Sequence, residues 1–361
     1  MTGSGHRPCT CFIAPPDLLA RLAAEGTPEQ KDAALATLSA SASLRTQRSI
    51  VNRLVREGDA AVAQLATSIK VAPQVHNVVY DNQHQGRLQL PGKQVRADKD
   101  PKSKDAAVNE AFDGAANTFD FYNKILKRNS IDGKAMALVS SVHYSNRFDN
   151  AFWNGGQMVY GDGSGQLFEV GGLTKALDVI GHELTHGVTQ FTAGLEYSKQ
   201  AGALNESISD VFGSLVKQYH LKQTAAKADW LIGAGTLVPA LGKALRSMSK
   251  PGTAYNGDNQ PDNMANYVDL PDDGDPRNDS GGVHINSGIP NRAFYLAATA
   301  LGGHAWEKAG PIWYGALTEH LQPDSQFADA AQATVEVAGK LFGAAEVAAV
   351  RDAWKGVGID V

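Results

Sequence analysis

The stretch GHELTHGVTQ, residues 181–190, holds two histidines four positions apart and a glutamate directly after the first. On a helix, His182 and His186 lie one turn apart, so both imidazoles can face a single metal ion. The same helix carries apolar residues on its other side, at spacings of three and four: Leu177, Ile180, Leu184, Val188 and Phe191. Because a short motif of this kind also arises by chance, further residues elsewhere in the chain have to complete the site.

Composition and charge exclude several classes of function. The 361 residues have a net charge of −5, with acidic and basic side chains interspersed, which does not indicate a nucleic-acid-binding protein. An apolar content of 43% is enough for a substantial core, and no stretch is apolar over the length that a membrane span needs. We therefore expect a monomeric globular protein without nucleic-acid or membrane partners.

Three parts of the chain differ in pattern. Residues 1–70 contain two helical stretches, the first with Thr27 as its N-cap and the second, rich in arginine, around 45–65, and they are too poor in large apolar side chains to form a domain alone. Residues 71–195 are rich in strand-like runs, interrupted by a helix at 104–126, and end with the motif helix. Residues 196–361 are mainly helical. Besides 174–192, the predicted helices are 203–221, 288–302, 308–320, 325–342 and 344–354.

A second helix supplies carboxylates that suit the same metal ion. In GALNESISDVFGSLVKQY, residues 202–219, Glu206 and Asp210 lie one turn apart on one face. A catalytic zinc site needs three protein ligands and one open position, and two histidines with one carboxylate form a recognised set. Glu206 is thus the candidate third ligand, and Asp210 can accept the other ring N–H of a ligand histidine. The alternative is a solvated acidic face.

A third segment, NDSGGVHINSG at residues 278–288, brings one more histidine to the predicted cleft. Its glycines favour a tight turn that presents His284, and Asp279 can hold the imidazole. A single loop histidine is normally a surface residue, so this assignment depends on the two helices described above.

Five motifs in order resemble the thermolysin family of zinc endopeptidases, over about residues 76–361. The motifs are NAFWNGGQMVYGDG (150–163), VIGHELTHGVT (179–189), GALNESISDVFG (202–213), ALRSMS (244–249) and GGVHINSGIPNRAFYLA (281–297). The resemblance implies an α+β zincin fold with a β-rich N-terminal lobe, an α-helical C-terminal lobe and an active-site cleft between them. A small, mostly helical propeptide precedes the two lobes.

The resemblance also implies a role for each matching residue. One zinc ion is held by His182, His186 and Glu206, and Glu183 is the general base. Asn205 is expected beside the ligands. The other implied residues are the oxyanion donors Tyr197 and His284, the orienting carboxylates Asp279 and Asp210, the substrate-backbone residues Asn150, Ala151 and Arg246, and the apolar-pocket residues Val179 and Leu245.

Two features depart from the best-known members of that family. Lys217 stands where an acidic calcium ligand is usual, so calcium binding is not expected there.

Residues 1–70 resemble the short propeptides of the protealysin-like subgroup, with the signature residues Pro15, Pro16 and Leu18. We expect the stiff prolines to lie in the cleft and Leu18 to fill the apolar pocket. Cys11 is one possible zinc ligand in the precursor, since Cys9 and Cys11 are too close in sequence for an ordinary disulfide with each other.

The sequence therefore predicts a zinc-dependent neutral endopeptidase made as an autoinhibited precursor, with a preference for an apolar residue after the scissile bond. Its partners are protein or peptide substrates and its own propeptide. The alternatives are a zinc aminopeptidase and a catalytically silent, zinc-stabilised binding protein. A metzincin is excluded, because Thr189 and Thr192 occupy positions where that motif needs glycine and histidine.

Residues 1–22 lack the apolar segment of a Sec signal, so we expect secretion by another route, with a cytoplasmic location as the alternative.

Overall fold

A mixed six-stranded sheet carries the N-terminal part of the molecule. The computed structural model describes residues 10–56, 76–86 and 89–361, with the side chains of 47–56 left out. The strands of the sheet are β1 (Cys11–Phe12), β2 (Asn77–Asp81), β3 (Lys93–Ala97), β4 (Leu138–Val142), β5 (Ala151–Trp153) and β6 (Met158–Tyr160). Their order is β1-β5-β6-β4-β2-β3. Strands β2, β4 and β6 are parallel, whereas β1, β5 and β3 join as antiparallel neighbours.

Helices dominate after the sheet, as the sequence predicted. The helices are α1 (Pro16–Glu25), α2 (Pro28–Arg56), α3 (Ala106–Leu126), α4 (Gly172–Lys175), α5 (Leu177–Gln190), α6 (Lys199–Leu221), α7 (Asp279–Asn286), α8 (Gly288–Leu301), α9 (Ala309–Gly315), α10 (Phe327–Leu341) and α11 (Ala344–Gly356). A short antiparallel pair, β7 (Leu231–Ile232) and β8 (Arg246–Ser247), lies between α6 and α7. The predicted helix at 308–320 is α9 followed by a π-helical turn at Ala316–His320.

The N-terminal residues form one short strand and two helices. The N-cap prediction for α2 holds, because Thr27 and Gln30 exchange hydrogen bonds of 3.0 and 3.3 Å between side chain and backbone. The prediction of a separate second helix from residue 45 is wrong, since α2 continues unbroken to Arg56. No glycine or proline follows Pro28 in this helix to interrupt it. Residues 57–75 lie outside the described residues.

A close crossing of α5 and α6 brings the motif helix against its partner. Gly213 of α6 faces α5 so closely that a Cβ there would lie 2.4 Å from the Asp178 carbonyl oxygen and 2.9 Å from the His182 nitrogen. Only a glycine permits this approach of the two backbones. The crossing therefore sets how near the Glu206 side chain of α6 comes to the histidines of α5.

One apolar core joins the sheet, the C-terminal helices and the N-terminal helix α1. Leu18 and Leu19 of α1 are 2% and 1% exposed and belong to the same cluster as Val179 and Leu184 of α5. Helix α1 is therefore packed on the rest of the molecule rather than forming a tail. Within the described part of the chain, no helix has both the length and the apolar character to cross a membrane.

Candidate metal centre and active site

The two motif histidines and Glu206 converge on one buried point. The Nε2 atoms of His182 and His186 are 3.0 Å apart, and they lie 3.4 and 3.5 Å from the two carboxylate oxygens of Glu206. Two zinc ligands in a tetrahedral shell are about 3.4 Å from each other, given bond lengths near 2.1 Å. Oε2 of Glu206 is buried without a hydrogen-bond partner. An orphaned carboxylate oxygen beside two imidazole nitrogens fits a zinc ion.

The far side of each histidine ring is held by α6. His182 Nδ1 is 2.8 Å from Asp210 Oδ1, and His186 Nδ1 is 2.8 Å from Asn205 Oδ1. These acceptors assign the proton to Nδ1 and leave Nε2 with a lone pair for a metal. Burial is the main cause that lowers the pKa of His186, to about 3. The ring is therefore neutral, as a ligand imidazole has to be.

Asp210 also fixes Arg246 of β8. Arg246 donates from Nε and Nη2 to the two Asp210 oxygens at 2.7 and 2.8 Å, and both side chains are fully buried. Burial raises the pKa of Asp210, but Arg246 and His182 outweigh it and hold the pKa well below its usual range. Asn291 donates a further hydrogen bond of 2.8 Å to Asp210. The sequence analysis assigned no role to Asn291, although it lies inside one of the quoted motifs.

Glu183 sits next to this cluster without joining it. Its Oε2 accepts a 2.9 Å hydrogen bond from the Trp153 backbone nitrogen of β5, and its Oε1 is buried without a partner. Burial first, and then the negative charge of Glu206, raise the pKa of Glu183 well above its usual value. A carboxyl group in this state can exchange a proton with a group close to the metal. The contact with Trp153 was not foreseen.

His284, Asp279 and Tyr197 line the opposite side of the centre. His284 Nδ1 donates to Asp279 Oδ1 at 2.6 Å, and its Nε2 is 3.3 Å from the Tyr197 hydroxyl, which donates to Glu206. The turn predicted around the glycines is the distorted start of α7, where Gly281 and Gly282 adopt φ of 84° and 81°. Burial lowers the pKa of His284, but the Glu206 and Asp279 charges outweigh it and bring the pKa to about 9. The ring can thus donate from both nitrogens.

The N-terminal residues 12–14 lie across these groups. Strand β1 adds to the free edge of β5 as an antiparallel strand. The Phe12 carbonyl accepts from His284 Nε2 at 2.8 Å, and the Ile13 carbonyl accepts from Arg246 Nη1 at 3.2 Å. The Ile13 N–H donates to the Ala151 carbonyl at 3.1 Å, and the Ala14 N–H donates to Asn150 Oδ1 at 3.0 Å. Four of the five residues assigned to substrate backbone or oxyanion contacts thus bind this segment, whereas the Tyr197 hydroxyl contacts Glu206 and His284.

The expectation that the prolines lie extended in the cleft holds for Pro15, which is extended and lies beside Leu245, Arg246 and His284, but not for Pro16. Pro15 ends the extended segment and Pro16 is the first residue of α1, because its fixed φ suits the first turn of a helix. Leu18 lies on that helix, so it follows the extended segment instead of belonging to it. Ile13 is the apolar residue directly after the Phe12 carbonyl, and the apolar run CFI before the prolines was the overlooked signal.

Cys11 does not offer a thiolate to the metal. It is fully buried in β1 opposite Trp153 and is disulfide-bonded, and its partner lies outside the described residues. The expectation about a disulfide between Cys9 and Cys11 concerns Cys9, which lies outside the described residues. A sulfur in a disulfide is not the anionic ligand that zinc prefers, so the hypothesis of a Cys11–zinc bond has no support.

Comparison with known proteins places the chain among metallopeptidases. Residues 59–190 match the family model described as thermolysin metallopeptidase, catalytic domain, and residues 193–359 match thermolysin metallopeptidase, alpha-helical domain. An extracellular metalloprotease of Pectobacterium carotovorum subsp. carotovorum is 47% identical over 97% of each chain. Thermolysin of Alicyclobacillus acidocaldarius subsp. acidocaldarius is 42% identical over 78% of this chain and 50% of its own.

A solved structure is similar over nearly the whole chain. The precursor of protealysin, a metalloproteinase from Serratia proteamaculans, has a TM-score of 0.82 and 47% sequence identity. The match covers 97% of this chain and 99% of the other. It therefore includes the N-terminal residues that occupy the cleft here, and the α+β thermolysin-like fold expected from the sequence is confirmed.

Proposed function

The chain belongs to the thermolysin family of zinc metalloendopeptidases and is protealysin-like, and we propose that its N-terminal residues keep the enzyme inactive until they are removed. One observation carries this proposal. The backbone of residues 12–14 makes the contacts that a peptide substrate would make, so no substrate can enter while the segment is docked. The Phe12–Ile13 bond takes the place of the bond to be cleaved.

The hydrogen bonds of the docked segment define the direction in which a substrate binds. Adding a strand to an exposed sheet edge recognises a peptide through its backbone and accepts many sequences. The Ala151 carbonyl and Asn150 Oδ1 accept hydrogen bonds from the N–H groups of the two residues after the scissile bond. Arg246 donates a hydrogen bond to the first carbonyl after that bond. Because Asp210 binds both Arg246 and His182, one carboxylate aligns the peptide with the metal ligands.

Each residue around the carbonyl group of the scissile bond is proposed to have a separate role in hydrolysis. Zinc held by His182, His186 and Glu206 would supply a Lewis acid that makes water acidic enough to lose its proton near neutral pH. Glu183 takes that proton and passes it to the leaving amine, a role that its unpartnered oxygen next to the ligands supports. His284, held by Asp279, donates to the oxygen of the scissile carbonyl, which becomes negatively charged in the transition state. Tyr197 lies beside His284 as a second donor.

The residue after the scissile bond is proposed to enter an apolar pocket. Ile13, Val179 and Leu245 are each fully buried and belong to one apolar cluster. A site built of aliphatic side chains desolvates a charged side chain without pairing it, which costs several kcal/mol. The enzyme is therefore expected to cleave before leucine, isoleucine or phenylalanine and to reject aspartate or lysine.

A peptide series tests this function and its specificity. The processed enzyme is given quenched peptides that differ only in the residue after one bond, and cleavage positions are read by mass spectrometry. Apolar residues are expected to give kcat/KM at least about tenfold above charged ones, since discrimination by an apolar pocket is worth a few kcal/mol. Equal rates, or stepwise release of N-terminal residues, would contradict the proposal.

We propose the same division of the chain as the sequence pattern gave. Residues 1–70 form the inhibitory propeptide, 71–195 the β-rich lobe and 196–361 the helical lobe. Helix α1 supports the inhibitory role of the N-terminal residues, because it packs on the catalytic part through buried leucines and follows the segment in the cleft. The enzyme is proposed to act outside the cell as a monomer on proteins and peptides, in keeping with its extracellular relative.

We propose that no calcium ion binds next to the motif helix, because the Lys217 ammonium group lies between the carboxylates of Asp178 and Asp229. Lys217 Nζ is 2.7 Å from Asp178 Oδ2, 3.0 Å from Asp229 Oδ1 and 2.7 Å from the Leu231 carbonyl. A calcium ion needs six or more oxygen ligands and the exclusion of competing cations. We expect the same melting temperature with calcium and with a calcium-selective chelator, with zinc supplied in both scans. A shift of many degrees would show that calcium binds.

A further inference from the structure

A second cluster of metal-binding side chains lies on the sheet, apart from the catalytic cleft. His84, His143 and Asp162 place ligand atoms within 4.8 Å of one another, as the catalytic trio also does. They follow the parallel strands β2, β4 and β6, which are direct neighbours in the sheet. Because carboxyl ends of parallel strands meet at one edge, these loops converge although they are distant in sequence. Neither the family resemblance nor the proposed function uses these residues.

The distances inside the cluster suit coordination to one ion. His143 Nδ1 is 2.8 Å from Asp162 Oδ1, and His84 Nδ1 is 3.4 Å from Asp162 Oδ2. The corresponding separations in the catalytic trio are 3.0 to 3.5 Å. Ligands in a zinc shell lie about 3 to 3.5 Å apart, so a small outward movement of Asp162 is sufficient to admit an ion.

Asp105 gives the cluster the arrangement that His182 and Asp210 have at the catalytic centre. His143 Nε2 is 2.8 Å from Asp105 Oδ2, on the side of the ring that faces away from Asp162. A carboxylate that accepts the distal N–H leaves the proximal nitrogen for a metal and makes it more basic. The second oxygen of Asp105 caps helix α3 by accepting from the Ala107 nitrogen at 2.9 Å, so the carboxylate is fixed from both sides.

The loops that carry the two histidines are tied to each other by their backbones. The His84 N–H donates to the His143 carbonyl at 2.9 Å, and the Ser145 N–H donates to the Gln85 carbonyl at 2.8 Å. The His84 side chain is 56% exposed, whereas those of His143 and Asp162 are 19% and 23% exposed. The two loops thus hold the side chains together at a place that an ion can reach from solvent, and an ion at His84 Nδ1 would replace the 3.2 Å hydrogen bond from that nitrogen to the Ser145 carbonyl.

We propose that His84, His143 and Asp162 form a second, accessory binding site for a divalent transition metal ion, with Asp105 as the support of His143. Two imidazoles and one carboxylate suit zinc, cobalt, nickel or copper rather than calcium or magnesium. The ion would join the loops after three strands, and through Asp105 also the start of α3. Its proposed role is to stabilise the β-rich lobe, because it would hold together loops that are distant in sequence.

In the absence of an ion, the same residues form an ion-pair network. Hydrogen bonds to Asp162 and Asp105 raise the pKa of His143 to about 9, against the opposing effect of burial. An incoming metal has to displace that proton from Nδ1. Because His84 is 56% exposed whereas the catalytic ligands are buried, the accessory ion is expected to bind more weakly than the catalytic ion, and the two classes of binding should separate in a titration.

Metal counting on an inactive full-length chain tests the site. The Glu183→Gln chain, which cannot digest itself, is stripped of metal and titrated with Zn²⁺ by calorimetry, and with Co²⁺ followed by absorption. Two ions per chain are expected, one tight and one weaker. Adding His84→Ala should remove the weaker ion and keep the tight one, and Asp105→Asn, which preserves the helix cap, should weaken it about tenfold.

A matched variant controls for general effects of removing a histidine. His220 is exposed at the end of α6 and belongs to neither cluster, so His220→Ala should leave both ions in place. If the chain with His84 intact binds only one ion, the proposal is overturned, and His84, His143, Asp162 and Asp105 form only an ion-pair network. Survival of the weaker ion in the His84→Ala chain would also overturn it, because that ion would then bind elsewhere.

Discussion

Replacing Glu183 with glutamine is expected to lower peptidase activity by at least about a thousandfold and to leave zinc bound between His182, His186 and Glu206. Glutamine has nearly the same volume and can still accept the hydrogen bond that Trp153 donates. It cannot accept a proton from water, so only the base is lost. The substitution thus separates proton transfer from metal binding, which a change of any ligand would combine.

The measurement needs the N-terminal segment removed from the variant, because the variant cannot remove its own. A trace of active enzyme, later separated, can process the Glu183→Gln chain, after which hydrolysis and zinc content are measured on one sample. Glu307→Gln, at an exposed glutamate on the helical lobe, is the matched control and should behave as the parent protein. Loss of zinc from Glu183→Gln, or activity near that of the parent, would refute the assignment of Glu183 as the base.

The second large effect is expected from a charge in the docked segment. Ile13→Asp places a carboxylate at a fully buried position in the apolar cluster that also contains Val179 and Leu245. Burying an unpaired charge costs several kcal/mol, and each 1.4 kcal/mol changes the ratio of docked to released segment tenfold. The full-length variant should therefore be active immediately after purification, at a rate about a hundredfold above the full-length parent.

Two leucines of the N-terminal helices provide a matched pair for this experiment. Leu18 is 2% exposed on α1, whereas Leu35 is 55% exposed on α2. Leu18→Asp should loosen the segment and speed its removal, and Leu35→Asp should leave latency unchanged. The inhibitory role fails if Ile13→Asp stays as silent as the parent while its chain remains full-length, or if the exposed substitution activates as strongly as the buried one.

The catalytic centre could be predicted because its residues lie on long, regular helices. The period of α5 and α6 puts His182, His186 and Glu206 on facing sides, and helical spacing alone indicates which side chains can meet. Asp210 followed from the same spacing. What spacing could not show is the closeness of the crossing, which depends on Gly213, or the contact of Glu183 with a strand from another part of the chain.

The contents of the cleft could not be predicted, because they depend on a strand of two residues. Strand β1 has no periodicity of its own and exists only because the edge of β5 pairs with it, more than a hundred residues later in the chain. The sequence prediction placed both prolines in the cleft because they are stiff, whereas Pro15 ends the extended segment and Pro16 begins α1. The cluster of His84, His143 and Asp162 escaped for a similar reason, since it requires the order of three parallel strands.

The most direct test of the central claim is a time course of peptide hydrolysis by the intact, zinc-loaded chain beside the processed enzyme. Samples taken during the assay show how much full-length chain remains. If a complete catalytic centre is blocked only by its own N-terminal residues, activity begins near zero. It then rises in step with the loss of full-length chain, and it ends at the rate of the processed enzyme. An intact chain that works at the processed rate from the first moment would contradict the claim.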